Sequence, residues 1–204
     1  MKPITLPIRF KFDLNKFIAC VAYFVRQDLP DLDKLKICKL LYYADKEHLL
    51  KHGKPILGDT YIHMDNGPVP SRALDILNAV ITDEKIYFMA GEPSNKDYFK
   101  KFLKIDKGFL RHRFPIFQLL KDPGLDCLSE SEQDALGEIL KKYGQCRPGE
   151  LIELTHQDAA WRKSPMNSEI DYRLFFQEEP HARPEALEYM ESMCENYELM
   201  FGLE

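Results

Sequence analysis

Two histidines four residues apart, His48 and His52, lie in the stretch CKLLYYADKEHLLKHGKPILGD, residues 38–59. On a helix that spacing puts both imidazoles on one face, where a metal can be held. The zinc-protease pattern needs Glu directly after the first His, whereas here Glu47 precedes it. No third ligand stands nearby, so the pair reads as solvated or hydrogen-bonded histidines near a helix C-terminus, where positive charge is favoured. Tyr42 and Tyr43 precede them. A catalytic tyrosine needs a neighbouring base or cation to shift its pKa. Without one, the pair reads as packing, with the hydroxyls bonded at the domain edge. A second stretch, THQDAAW, sets Thr155, His156 and Asp158 beside Trp161, the only tryptophan. These are the residue types of a nucleophile, a base and an acid. Such a set works only when tertiary geometry converges it, and close neighbours along a chain rarely converge. The structural alternative is a helix-ending turn in which Thr155 or His156 bonds backbone and Trp161 locks the turn onto the core. Asp45, Asp59 and Asp65 could gather at a cation on proximity alone, but Asp65-Asn66-Gly67 is too short for a calcium loop. The phosphate-binding and nucleophile-elbow patterns G-x-x-x-x-G-K-S/T, G-x-G-x-x-G and G-x-S-x-G are absent.

These residues must be positioned by a chain of 204 residues, 45% hydrophobic and 30% charged. That balance is globular, and the length suits one domain with a sizeable core. A net charge of -5 and a pI near 5.7 argue against DNA or RNA as the main partner. Five cysteines, at 20, 38, 127, 146 and 194, form no C-x-x-C pair. They fit reduced, mostly buried thiols in a cytoplasmic protein. The opening MKPITLPIRFKFDLNKFIACVAYFV has no long apolar region with a cleavage site, and no run of roughly 20 apolar residues follows, so neither a leader nor a membrane span is expected.

Residues 1–12 read as a tail or edge strand. A helix is predicted from about 13 to 28, capped by Asp13 or Asn15 and stopped by Pro30. A second runs from about Asp31 to His52, capped by Asp31 or Asp33 and stopped at Gly53. Its apolar side chains fall on nearly all sides, which makes it the central element. Asp59 to Met64 reads as a strand, Asp65-Asn66-Gly67-Pro68 as a turn, and Ser71 as the cap of a third helix. KIYFMAG, YFKKFLKID and FLRHRFPIF complete a small sheet between about 56 and 117. LSESEQDALGEILKKYG is a helix capped by Ser129 or Ser131 and stopped by Gly144. RPGELIELTHQDAAW starts another, and RPEALEYMESMCENYELMFG is the last. The expected fold is therefore α+β and mainly helical: a central helix surrounded by helices, with a small antiparallel sheet or hairpin. Lys96 to Arg113 holds seven basic and two acidic residues, and Glu169 to Glu204 ten acidic and two basic. These are solvated faces or docking surfaces for oppositely charged partners. Met190, Met193 and Met200 with Tyr197 and Phe201 mark the last helix, chiefly as core packing.

The stretch KLKICKLLYYADKEHLLKHGKPILGDTYIHMDNGPVPS resembles the Panacea domain, the SocA-like or DUF4065 family. The family pattern is a K-L-x-K-L-L-Y-Y-A helix, then G-K-P, then a strand into G-P-V-P; here these are Lys36 to Ala44, Gly53 to Pro55 and Gly67 to Pro70. LSESEQDAL and ELTHQDAAW resemble later blocks, the second a T-H-x-x-x-x-W pattern at Thr155, His156 and Trp161. Ala160 replaces a frequent Pro, and Asn66 a frequent Tyr or His. The resemblance implies a domain over 13–165, with 166–204 an acidic helical extension packed on it. It also implies a phage-associated antitoxin of a toxin–antitoxin system, not an enzyme and without a cofactor, that neutralises a cognate toxin by direct binding. Family toxins include alarmone-synthetase-like enzymes. The SocA relative acts instead as an adaptor to a ClpXP-type protease, which is the alternative. An unrecognised hydrolase or metalloenzyme is the third reading. Tyr61, Asn66, Gly67, Pro68, Ser71, His156 and Trp161 are expected to shape the shared partner-binding surface, with no catalytic role.

Overall fold

The computed structural model describes residues 8–83, 95–106 and 115–201. Its centre is helix α2, Lys34–His52. Asp33 caps α2 through the Lys36 amide, and Gly53, at φ 71°, ends it. Ile37, Leu40, Leu41, Tyr42, Leu49 and Leu50 are buried on its several faces. Helix α1, Leu14–Arg26, is capped by Asp13 and packs against α2. Further neighbours of α2 are α3 (Ser71–Thr82), α5 (Glu130–Tyr143), α6 (Pro148–His156) and α8 (Pro184–Phe201). The short helices α4 (Asn95–Phe99) and α7 (Ala159–Lys163) and a 3-10 turn, Tyr172–Phe176, complete the helical set among the described residues. The fold is α+β and mainly helical, as expected.

Most of α2 is covered by its neighbours, which leaves some of its lysines no route to solvent. Lys36 and Lys39 are buried and solve this with neutral oxygens. Lys36 donates to the carbonyls of Pro30 and Gly144, at 2.6 and 2.8 Å. At the far end, a Cβ on Gly53 would lie 2.5 Å from the Ala186 carbonyl oxygen, so only glycine lets α8 approach this closely. Met190 is buried in the core, whereas Met193 is exposed. The side chains of Tyr197, Met200 and Phe201 lie outside the described residues.

Strands β1 (Tyr61–Met64) and β2 (Gly67–Pro70) form an antiparallel hairpin, with Met64 opposite Gly67 and Tyr61 opposite Pro70. The turn is Asp65-Asn66 alone. Gly67 and Pro68, expected in the turn, already belong to the return strand. Pro68 and Pro70 face His63 and Tyr61. The missing proline donors are no loss to the ladder, because His63 and Tyr61 bond instead to residues 167–170 on the other side. Strands β3 (Leu103–Asp106) and β4 (Ile116–Leu119) pair separately. Among the described residues, the single small sheet expected over 56–117 is thus two two-stranded sheets. Tyr98 and Phe99 end α4 and are not in a strand, because YFKKFLKID turns before Leu103. KIYFMAG and residues 109–114 lie outside the described residues, as do residues 1–7; residues 8–12 form no strand.

Ser71 does not cap α3. Asp59 does so from twelve residues upstream, accepting the Arg72 and Ala73 amides at 3.0 and 2.8 Å as well as that of Thr60. A carboxylate at a helix N-terminus satisfies orphan donors and the helix dipole together. Asp45 likewise receives the Ile56 and Leu57 amides and the Tyr61 hydroxyl. These two carboxylates therefore hold backbone and tie the hairpin to α2. Burial pushes Asp45 up from 3.8 to about 7 and Asp59 up from 3.8 to about 6. Both folded values exceed the unfolded ones, so the folded chain binds more protons between those limits. The stability they contribute is complete below about pH 4 and is lost as pH rises through about 6 to 7. Asp45→Asn is expected to flatten the fall of the urea midpoint across that window.

Candidate functional site

The hairpin tip is gripped from below. Gly67, at φ 88°, completes the chain reversal, since neither Asp65 nor Asn66 has a positive φ. Beneath it, Lys39 donates to the Pro68 carbonyl at 2.9 Å. From the side, the Trp161 indole donates to the Met64 carbonyl at 3.1 Å. His156 Nε2 donates to the Asp65 carbonyl at 3.0 Å. The His156 and Trp161 rings stack at 4.1 Å between centroids, and His63 packs on Trp161 at 4.4 Å. Asp158 caps α7 and so sets the turn that brings Trp161 under the hairpin. The motif at 155–161 is therefore a clamp on two carbonyls of the β1–β2 tip.

Chemistry at this motif is not assembled. The Thr155 hydroxyl donates to the Ile152 carbonyl at 2.8 Å. His156 faces the tip. Asp158 points instead to α2, where it receives the Tyr42 hydroxyl at 2.8 Å and the Lys46 ammonium. Lys46 also pairs with Glu179. Burial, and after it the Asp158 carboxylate, push the Tyr42 phenol well above its ordinary range, so Tyr42 is a donor in this network. Tyr43 stacks on Tyr143 at 4.3 Å. His48 is buried, donates from Nδ1 to the Lys54 carbonyl at 2.7 Å and meets Ser131 Oγ at 3.1 Å. It packs on His52. Among the described residues no group of three or more His, Cys, Asp or Glu side chains is arranged to hold a metal.

The seven residues singled out from sequence divide by depth. Asn66 is exposed at the tip, while Ser71, His156 and Trp161 are half-buried. Gly67 and Pro68 are buried in β2. Tyr61 is fully buried, among Tyr42, Tyr172 and Phe175, and so lies beneath the surface. Structure adds Lys39, His63 and the exposed Met64 and Asp65 to the set. The signal for Lys39 was available, because a lysine on a helix buried all round needs an internal acceptor.

A model of the family described as antitoxin SocA-like, Panacea domain, matches residues 37–162. The chain belongs to this family. The matched span runs from α2 to α7 and ends one residue after Trp161, so it contains the hairpin and its whole clamp. Family membership points to an antitoxin role, with a toxin as partner, and to a non-enzymatic one. No curated protein and no solved structure matches the chain. No described helix is long and apolar enough to cross a membrane.

Within this Panacea domain, Trp161→Phe keeps an aromatic plate but removes the bond to the Met64 carbonyl. The expected cost is about 1 kcal/mol. The amide order parameters of Asp65 and Asn66 should fall with it, which 15N relaxation will read.

Proposed function

We propose that this chain is an antitoxin that neutralises a cognate toxin by direct binding, and that the Met64-Asp65-Asn66 tip is the centre of the contact. The observation that carries this reading is the double clamp on the tip. Two consecutive carbonyls, of Met64 and Asp65, are held by Trp161 and His156, while three consecutive side chains, 64 to 66, face outward. A tip ordered before binding loses little entropy on docking. The clamp spends two side-chain donors on the backbone of the tip, which fits a presented loop.

The test is co-expression with the protein encoded by the neighbouring reading frame, alarmone-synthetase-like toxins being the first to try. Wild type should reverse growth arrest and co-purify with the toxin. Asn66→Arg should weaken the complex by at least about tenfold, or roughly 1.4 kcal/mol, with an unchanged Tm. If rescue survives Asn66→Arg and is lost only in variants that unfold, the tip is not the contact. A toxin half-life that shortens as its activity disappears would replace direct blocking with delivery to a protease.

A further inference from the structure

Beside the tip lies a cavity of about 250 Å³. Its walls are Leu35 and Cys38 from α2, Val69 from β2, Leu74 from α3 and the Met64 side chain of the tip. Met64 is 40% exposed, and methionine re-packs readily around a guest. Lys34 and Lys39 border the same cavity, with Asp65 and Asn66 at its lip.

Six other lysines of the described structure are paired with carboxylates; these two are not. Lys16 pairs with Glu132, Lys46 with Asp158 and Glu179, Lys51 with Glu47 and Glu138, and Lys163 with Glu178. Lys34 and Lys39 have only neutral oxygens, Asn78 Oδ1 at 2.6 Å and the Pro68 carbonyl at 2.9 Å. Among the described residues neither has a carboxylate at ion-pair distance, and Asp65 reaches neither. Each ammonium has three donors, and a neutral acceptor offsets less of its charge than a carboxylate does. Burial pushes Lys39 down to about 8.

We propose that this cavity receives an apolar side chain of a protein partner adjoined by an aspartate or glutamate, the apolar group seated against Val69 and Leu74 and the carboxylate set toward Lys34. Charge decides the occupant. The cavity is bordered by two cations that lack carboxylate partners and by one acid, on a chain whose net charge is -5, so an acidic, apolar segment is favoured here over a neutral one. The inference rests on the tip being the toxin contact and names the chemistry that would meet it.

The probes are acetyl-aspartyl-leucine amide and its asparaginyl counterpart, titrated into the full chain while the methyl signals of Met64, Val69 and Leu74 are followed by NMR. The acidic peptide should shift these signals saturably and bind at least about fivefold tighter than the neutral one. Lys34→Gln should erase that preference, with the fold intact by its spectrum. No shift at the three methyls, or equal binding of the two peptides, overturns the proposal. The result is separable from the antitoxin reading. Failure here with intact rescue in co-expression removes the pocket and leaves the antitoxin, whereas selective binding without rescue does the reverse.

Discussion

Gly67→Ala will destabilise the fold by about 2–5 kcal/mol, the left-handed backbone costing about 1–2 and the overpacking about 1–3. Its φ of 88° is one that a Cβ opposes. A Cβ there would also overlap Thr155 Oγ1 and lie 2.8 Å from Lys39 Nζ. The lysine end can move only by giving up the Pro68 carbonyl. Thr155 is β-branched and buried, so it cannot yield by a rotamer change without losing its own bond to Ile152. Urea denaturation will read the loss. Thr155→Ala in the same chain should recover part of it, with a coupling of about 0.5–3 kcal/mol, since the two groups share one space. A cost below about 0.5 kcal/mol would mean that α6 and the hairpin do not approach this closely. Because the tip follows the Gly67 conformation, toxin binding should fall in Gly67→Ala and return in the double variant only as far as the turn does.

Asp158→Ala should cost about 3–5 kcal/mol, the range for breaking a buried ion pair from one side. Asp158 and Lys46 have side chains only 4% and 7% exposed. Removing the carboxylate orphans the Tyr42 hydroxyl and the Ala160 amide and leaves Lys46 to Glu179 alone. It also removes the α7 cap that aims Trp161, so the stability loss and a loosened tip should appear together. Lys46→Met with Asp158→Ala should be less damaging than the sum of the two single changes, because no buried ammonium is then left half-paired. Strict additivity would show that the two side chains do not meet.

Much of this protein is local and was legible as such. Asp13, Asp33, Ser129 and Gly53 act within a few residues of themselves, so helix ends can be read from single positions. The apolar residues spread around α2 marked it as the central helix before any neighbour was known. Ser71 misled because a serine at a helix start is a good cap only if no better acceptor arrives. Asp59 arrives from the loop that leads into β1. The single sheet misled because strand patterns carry no partner information, and among the described residues β3 and β4 pair only with each other.

The motif at 155–161 shows the division most clearly. Its spacing, together with the G-P-V-P stretch, identified the family, and local chemistry argued against a triad. What the motif grips is 91 and 97 residues away. Those bonds go to backbone carbonyls, which every residue has, so no side-chain type in the hairpin could announce them. Residue identities determined the long helices, most of their caps, the central beam and the family; only tertiary packing decided that Asp59 caps α3, that Tyr61 lies beneath the surface, that Asp158 turns inward to Lys46, and that Trp161 and His156 hold a three-residue tip out to solvent. Periodicity and capping depend on neighbours in sequence, whereas depth and long-range hydrogen bonding depend on which surfaces meet.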